Sequence, residues 1–105
     1  MLFRSPEILL LDEPAAGLDL GGREQLVRRL GDMASDSSAP TTILVTHHVE
    51  EIPPGITHAL LLRGGTAVAQ GPVSEVLTNE ALSATYGIPL EITRRDGRWA
   101  ARAIS

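Results

Sequence analysis

The chain contains no cysteine, which excludes a disulfide framework and any thiolate metal site. Lysine is missing as well, since all nine basic residues are arginine. That excludes the Gly-x-x-x-x-Gly-Lys-Ser/Thr phosphate loop, whose lysine reaches the β- and γ-phosphates while loop amides cradle them. Phe3, Tyr86 and Trp99 are the only aromatics, so a core must be built from aliphatic side chains. No apolar run exceeds four residues (8–11 and 59–62), whereas a helix needs about 20 to cross a bilayer. No direct membrane insertion is therefore expected. The first apolar run ends in Asp12-Glu13 and makes a poor signal peptide. A formal charge of −4 disfavours broad nucleic-acid binding.

What remains is a globular composition, 43% hydrophobic over 105 residues, enough for one small domain or part of a larger one. Residues 7–12 form a nearly continuous apolar run of the kind that serves as a strand buried on both faces of a parallel sheet. A turn follows at residues 14–17. Asp19 is placed to N-cap a helix over residues 21–34, with Leu26, Leu30, Met33 and Ala34 on one side. After a polar loop at 35–40, the β-branched run 41–46 predicts a second strand. His47 and His48 stand at its end, and a short helix through 49–52 stops at Pro53-Pro54-Gly55. Strands at 57–62 and 66–70 read as a hairpin turning through Gly64-Gly65. Short helices are expected at 72–77 and 80–85, then a last hairpin, 90–94 and 98–103, turning at Asp96-Gly97.

Two strands flanking a helix of crossover length form a βαβ unit, in which both strands end on one edge of the sheet. Open α/β sheets bind ligands at that edge. Asp12-Glu13 and His47 would emerge there side by side. An Asp so placed can hold Mg²⁺ through water, and an adjacent Glu can orient and deprotonate a water for in-line attack on a γ-phosphorus. Taken alone, two acids ending a strand can equally be a solvated terminus.

The surrounding residues carry a resemblance that bears on this choice. Ile8-Leu9-Leu10-Leu11-Asp12-Glu13-Pro14-Ala15-Ala16-Gly17-Leu18-Asp19 closely resembles the Walker B and D-loop of ABC ATPases. Thr42-Ile43-Leu44-Val45-Thr46-His47 looks like that family's H-loop at a matching distance. Val68-Ala69-Gln70-Gly71-Pro72-Val73-Ser74-Glu75-Val76-Leu77 is similar to the hairpin and short helix that follow it. The implied fold class is α/β, a partial P-loop NTPase sheet with a parallel βαβ core followed by antiparallel hairpins and short helices. The resemblance implies that Asp12 assists Mg²⁺ and Glu13 is the general base. Asp19 would serve communication across a dimer of nucleotide-binding domains, besides capping its helix, and His47 would contact the γ-phosphate. ATP and Mg²⁺ are the implied cofactors, both only in a completed domain. A second nucleotide-binding domain and transmembrane permease subunits are the implied partners, with a cytoplasmic location peripheral to the membrane. Ala84-Thr85-Tyr86-Gly87-Ile88-Pro89-Leu90 is similar to the tails of importer ATPases for iron chelates or molybdate.

The chain departs from the family pattern in having no Walker A loop, Q-loop or Leu-Ser-Gly-Gly-Gln-type signature. Residues 1–7 look like the end of the helix after the signature, and residues 1–105 as a whole like a single truncated domain, its C-terminal half. Such a chain is expected to be inactive alone. The competing readings are a non-catalytic remnant that completes or regulates another ATPase, and the C-terminal lobe of an SMC-type ATPase, which the segment 67–77 fits less well. His48, His58, Glu50 and Glu51 are assigned no chemistry; the acids suit the first turn of a helix. Arg94, Arg95, Arg98 and Arg102 cluster in the last hairpin, where a solvated surface is the simpler expectation. Trp99, Leu90 and Ile92 are expected to pack that hairpin.

Overall fold

In a computed structural model the structure describes residues 8–104; the helix end expected at residues 1–7 lies outside them. The chain divides into two compact units, Met1–Gly55 and Ile56–Ser105.

The first unit holds β1 (Ile8–Asp12), α1 (Leu20–Ala34), β2 (Thr41–Val45) and a 3-10 turn (Val49–Glu51). The two strands pair in parallel, with Leu10 beside Ile43 and Asp12 beside Val45. Each strand alternates in exposure. Leu9, Leu11, Thr42 and Leu44 are half-buried on one face, while Ile8 (59%), Leu10 (63%), Ile43 (47%) and Val45 (44%) stay exposed on the other. This corrects the expectation of a strand buried on both faces. A single crossover helix covers one face of a parallel pair, and the second face needs another layer.

Helix α1 starts where the cap chemistry places it. The Asp19 carboxylate accepts the Gly22 amide at 2.8 Å, satisfying one of the orphan donors of the first turn. Asp19→Ala is expected to destabilise the chain by about 1 kcal/mol while Asp19→Asn keeps the cap, a difference readable by urea denaturation. The buried face departs from the expected one: Val27 and Leu30 are the core residues, Leu26 and Met33 flank them half-buried, and Ala34 is exposed. Gly31 lies against Pro53 and Pro54, with room for a Cβ at ordinary van der Waals distance. A Cβ there would stand 3.5 Å from Pro54 Cδ.

The second unit runs β3 (His58–Arg63), β4 (Thr66–Pro72), α2 (Val73–Val76), α3 (Asn79–Tyr86), β5 (Leu90–Arg95) and β6 (Arg98–Ala103). Both strand pairs are antiparallel hairpins, and the first carries a bulge between Leu61 and Leu62. Helix α3 is capped by the Thr78 hydroxyl, which accepts the Ala81 amide at 3.1 Å, and ends in Gly87 at φ 77°. That left-handed position suits glycine, and a Cβ on Gly87 would also lie 3.0 Å from the Arg63 guanidinium. Val76, Leu77 and Leu82 form the core here.

Of the arginines in the last hairpin, Arg102 pairs with Glu91 across the strands at 3.1 Å. Arg94 stacks over Trp99, 4.8 Å from the ring centroid. The register puts Leu90, Ile92 and Trp99 on a common face, and all three are half-buried. Two of the four clustered arginines thus serve the hairpin itself.

Candidate functional site

Parallel pairing brings the carboxyl ends of β1 and β2 to one rim. Glu13, the first residue beyond β1, still donates its amide to Val45 O at 2.8 Å, and there the ladder ends. Its backbone turns into the left-handed region, φ 52°, a conformation a non-glycine residue adopts at a cost of about 1 kcal/mol or more. The turn is closed by the Ala16 amide donating to Glu13 O at 3.1 Å and the Leu18 amide to Ala15 O at 3.0 Å. The chain then passes through Gly17 to the Asp19 cap.

This turn aims the Glu13 carboxylate across the gap to β2. Its Oε1 accepts the His47 amide at 3.2 Å, and Oε2 lies 3.9 Å from His47 Nε2. The His47 side chain is 75% exposed and that of Glu13 37%, so the pair opens to solvent, as a group that meets a ligand must. Asp12, one residue back, is exposed on the same rim. Asp19 lies at the far end of the turn and does not join the Glu13–His47 pair.

Beside the pair is a cavity of about 290 Å³, lined by Glu13, Ala16, Arg23, His48 and Glu51 among others. His48 contributes its backbone start to the 3-10 turn, with no side-chain cap. Glu51, in that turn, points inward and is only 9% exposed. It accepts the Thr46 hydroxyl at 2.6 Å, and Thr46 Oγ1 in turn accepts the His48 amide at 3.1 Å. Neither Thr46 nor Glu51 was distinguishable in the sequence: an acid in a first helical turn is ordinary, and only the fold shows it facing in.

A larger hollow of about 590 Å³ lies within the second unit, lined by Ile88, Pro89, Leu90 and Ile104 with Asn79 and Ser83. Two of its polar groups are already used, since Asn79 Oδ1 accepts the Ile92 amide at 2.8 Å and Ser83 Oγ the Leu90 amide at 2.9 Å, and Glu80 is the one charged residue in its lining. It offers no convergent chemistry. His58 is exposed at the start of β3, its Nδ1 3.0 Å from Thr57 Oγ1.

The Mg²⁺ expectation can be tested against the donor set. Among the described residues no group of three or more His, Cys, Asp or Glu is disposed to hold a metal. Mg²⁺, however, keeps several waters and is bound through one or two carboxylates plus substrate phosphates. The exposed Asp12 carboxylate fits an ion that arrives with a nucleotide rather than a resident one. Among the described residues no helix is long and apolar enough to cross a membrane.

The structure thus sets an acid and a histidine on the carboxyl rim of a parallel α/β strand pair, and the comparisons with known proteins show the family in which this arrangement occurs. No family model matches the chain. An ABC transporter ATP-binding protein of Streptococcus mutans is 42% identical over 97 residues, 92% of this chain and 37% of the relative. An uncharacterised ABC transporter ATP-binding protein of Bacillus subtilis is 42% identical over 91 residues, 87% of this chain and 34% of the relative. A metal-chelate type ABC transporter, solved in an inward-facing conformation, shares the fold with a TM-score of 0.71 at 23% identity, over 93% of this chain and 39% of that one. The chain belongs to the ABC transporter ATP-binding protein family, and it spans 37% and 34% of the length of the two relatives named.

Proposed function

We propose that this chain supplies the Walker B, D-loop and H-loop part of the nucleotide-binding domain of an ABC transporter, and that ATP hydrolysis uses its residues once the phosphate-binding part of the domain is supplied. The observation that carries the reading is the Glu13 carboxylate set against both the amide and the imidazole of His47 on one sheet rim, at 3.2 and 3.9 Å.

In this reading Asp12 holds Mg²⁺ through water, and Mg²⁺ when bound neutralises phosphate charge. Glu13 accepts the proton of a water directed at the γ-phosphorus, and its hydrogen bond to the His47 amide keeps the carboxylate oriented toward the rim. The His47 imidazole, mostly exposed, contacts the γ-phosphate. Asp19 serves the contact with a second nucleotide-binding domain in addition to capping α1. The remaining partners are permease subunits, with the domain peripheral to the cytoplasmic side of the membrane.

The exposed apolar face of Ile8, Leu10, Ile43 and Val45 favours a second reading alongside this one, a non-catalytic module that completes another ATPase. One experiment separates them. The segment replaces its counterpart in the Bacillus subtilis relative, and phosphate release is measured for the isolated chain and for the chimera. The chain alone, without a phosphate-loop lysine, is expected to show no turnover, and the chimera to hydrolyse ATP. A chimera that binds nucleotide but does not hydrolyse it overturns the catalytic reading and leaves the module.

A further inference from the structure

The buried carboxylate of Glu51 has no role in the chemistry above, yet among the described residues of the first unit it is the most enclosed ionisable group, 9% exposed. A carboxylate is seldom enclosed without a partner. Its partner is the Thr46 hydroxyl at 2.6 Å, a short bond of the charge-assisted kind. A hydroxyl has one proton and two lone pairs. Because Glu51 takes the proton, a lone pair of Thr46 Oγ1 faces the His48 amide and accepts it at 3.1 Å. The next amide back, that of His47, is held by Glu13 at 3.2 Å, and the Val45 carbonyl is held by the Glu13 amide at 2.8 Å. The His47 amide is thus held by Glu13 and the His48 amide, through Thr46, by Glu51, while the His48 carbonyl accepts the Glu51 amide at 3.0 Å in the 3-10 turn.

We infer that Glu51 is a positioning residue for His47, acting through the Thr46 hydroxyl to fix the bend that presents the imidazole beside Glu13. Glu51 does not touch the imidazole. It sets the hydroxyl rotor, the rotor sets the His48 amide, and the two clamped amides on either side of the His47 carbonyl set the direction of its side chain. The inference rests on the proposed role of His47 for its functional consequence, while the relay itself is a property of the chain alone.

The test has two arms. In the full chain, amide hydrogen exchange is read at His48 for the parent, Glu51→Ala, Glu51→Gln, Thr46→Val and Thr46→Ser. Glu51→Ala and Thr46→Val are expected to speed His48 exchange at least tenfold. Thr46→Ser keeps the hydroxyl and Glu51→Gln keeps an acceptor oxygen, so both restore most of the protection. Unchanged His48 exchange in Glu51→Ala overturns the relay. In the ATPase chimera, Glu51→Ala and Thr46→Val are expected to lower kcat at least tenfold with the KM for ATP within about twofold, and the double variant to be no worse than the poorer single one. Additive losses, or Glu51→Gln as inactive as Glu51→Ala, would mean that the Glu51 charge acts directly and would refute positioning. Should Glu13→Gln leave turnover intact, the catalytic reading fails by itself, and the exchange arm still decides whether Glu51 holds the bend.

Discussion

Glu13→Gln is expected to lower ATP turnover by about 10²- to 10⁴-fold, the usual worth of a positioned general base, with nucleotide binding retained. The substitution is informative because of what it keeps. Glutamine Oε1 can still accept the His47 amide, now 3.2 Å from the carboxylate, so the rim geometry survives while the proton acceptor is gone. His47→Ala is expected to cost about 10²- to 10³-fold, as for removal of one preorganised group aimed at developing charge. Glu13→Gly offers a control of a different kind. It removes the carboxylate together with the penalty of φ 52°, while the freer unfolded chain offsets that relief. Its melting temperature should stay within a few degrees of the parent's while turnover is lost. Phosphate release in the chimera, paired with thermal melts, checks all three. Turnover of the Glu13→Gln protein within about threefold of the parent would remove Glu13 from the mechanism.

Leu82→Ala is expected to destabilise the chain by about 2–5 kcal/mol, the range for truncating a fully buried leucine. Leu82 is 1% exposed, and among the described residues of the second unit Val76 and Leu77 are the other buried apolar side chains, beside the buried Thr85. So small a core leaves no neighbour able to fill the space, and whole domains are stable by only about 5–15 kcal/mol. Trp99 lies half-buried in the same unit, so urea titration followed by tryptophan fluorescence reads the loss directly. A shift of under about 1 kcal/mol would mean that α3 does not pack as described.

Much of this architecture was legible before any coordinates. The helix start was visible because Asp19 is a short acceptor at the edge of an apolar-periodic segment, and it does cap Gly22. Both hairpin turns were visible because Gly64-Gly65 and Asp96-Gly97 tolerate positive φ, and all four residues adopt it. The meeting of Glu13 and His47 followed from topology: parallel strands joined by a crossover end on one edge, and the observed pairing is parallel. Strand burial was misjudged, since an apolar run reads the same whether one face or both are covered. The face of α1 was misjudged because Leu26, Val27 and Leu30 carry the same apolar signal, and only packing shows that Val27 and Leu30 go inward.

The residues by themselves determined the chemical inventory: acids and a histidine at strand ends, no thiol, and no lysine for a phosphate loop. They also determined the order of elements, since propensity, capping and turn formation act over a few neighbouring positions. Tertiary structure alone decided that Glu51 turns inward to hold Thr46 and that Glu13 enters the left-handed region to face His47. It also decided that the outer face of β1 and β2 stays bare. The reason is common to all three. Side-chain direction and burial depend on groups distant in sequence that only the fold brings within hydrogen-bond or van der Waals reach.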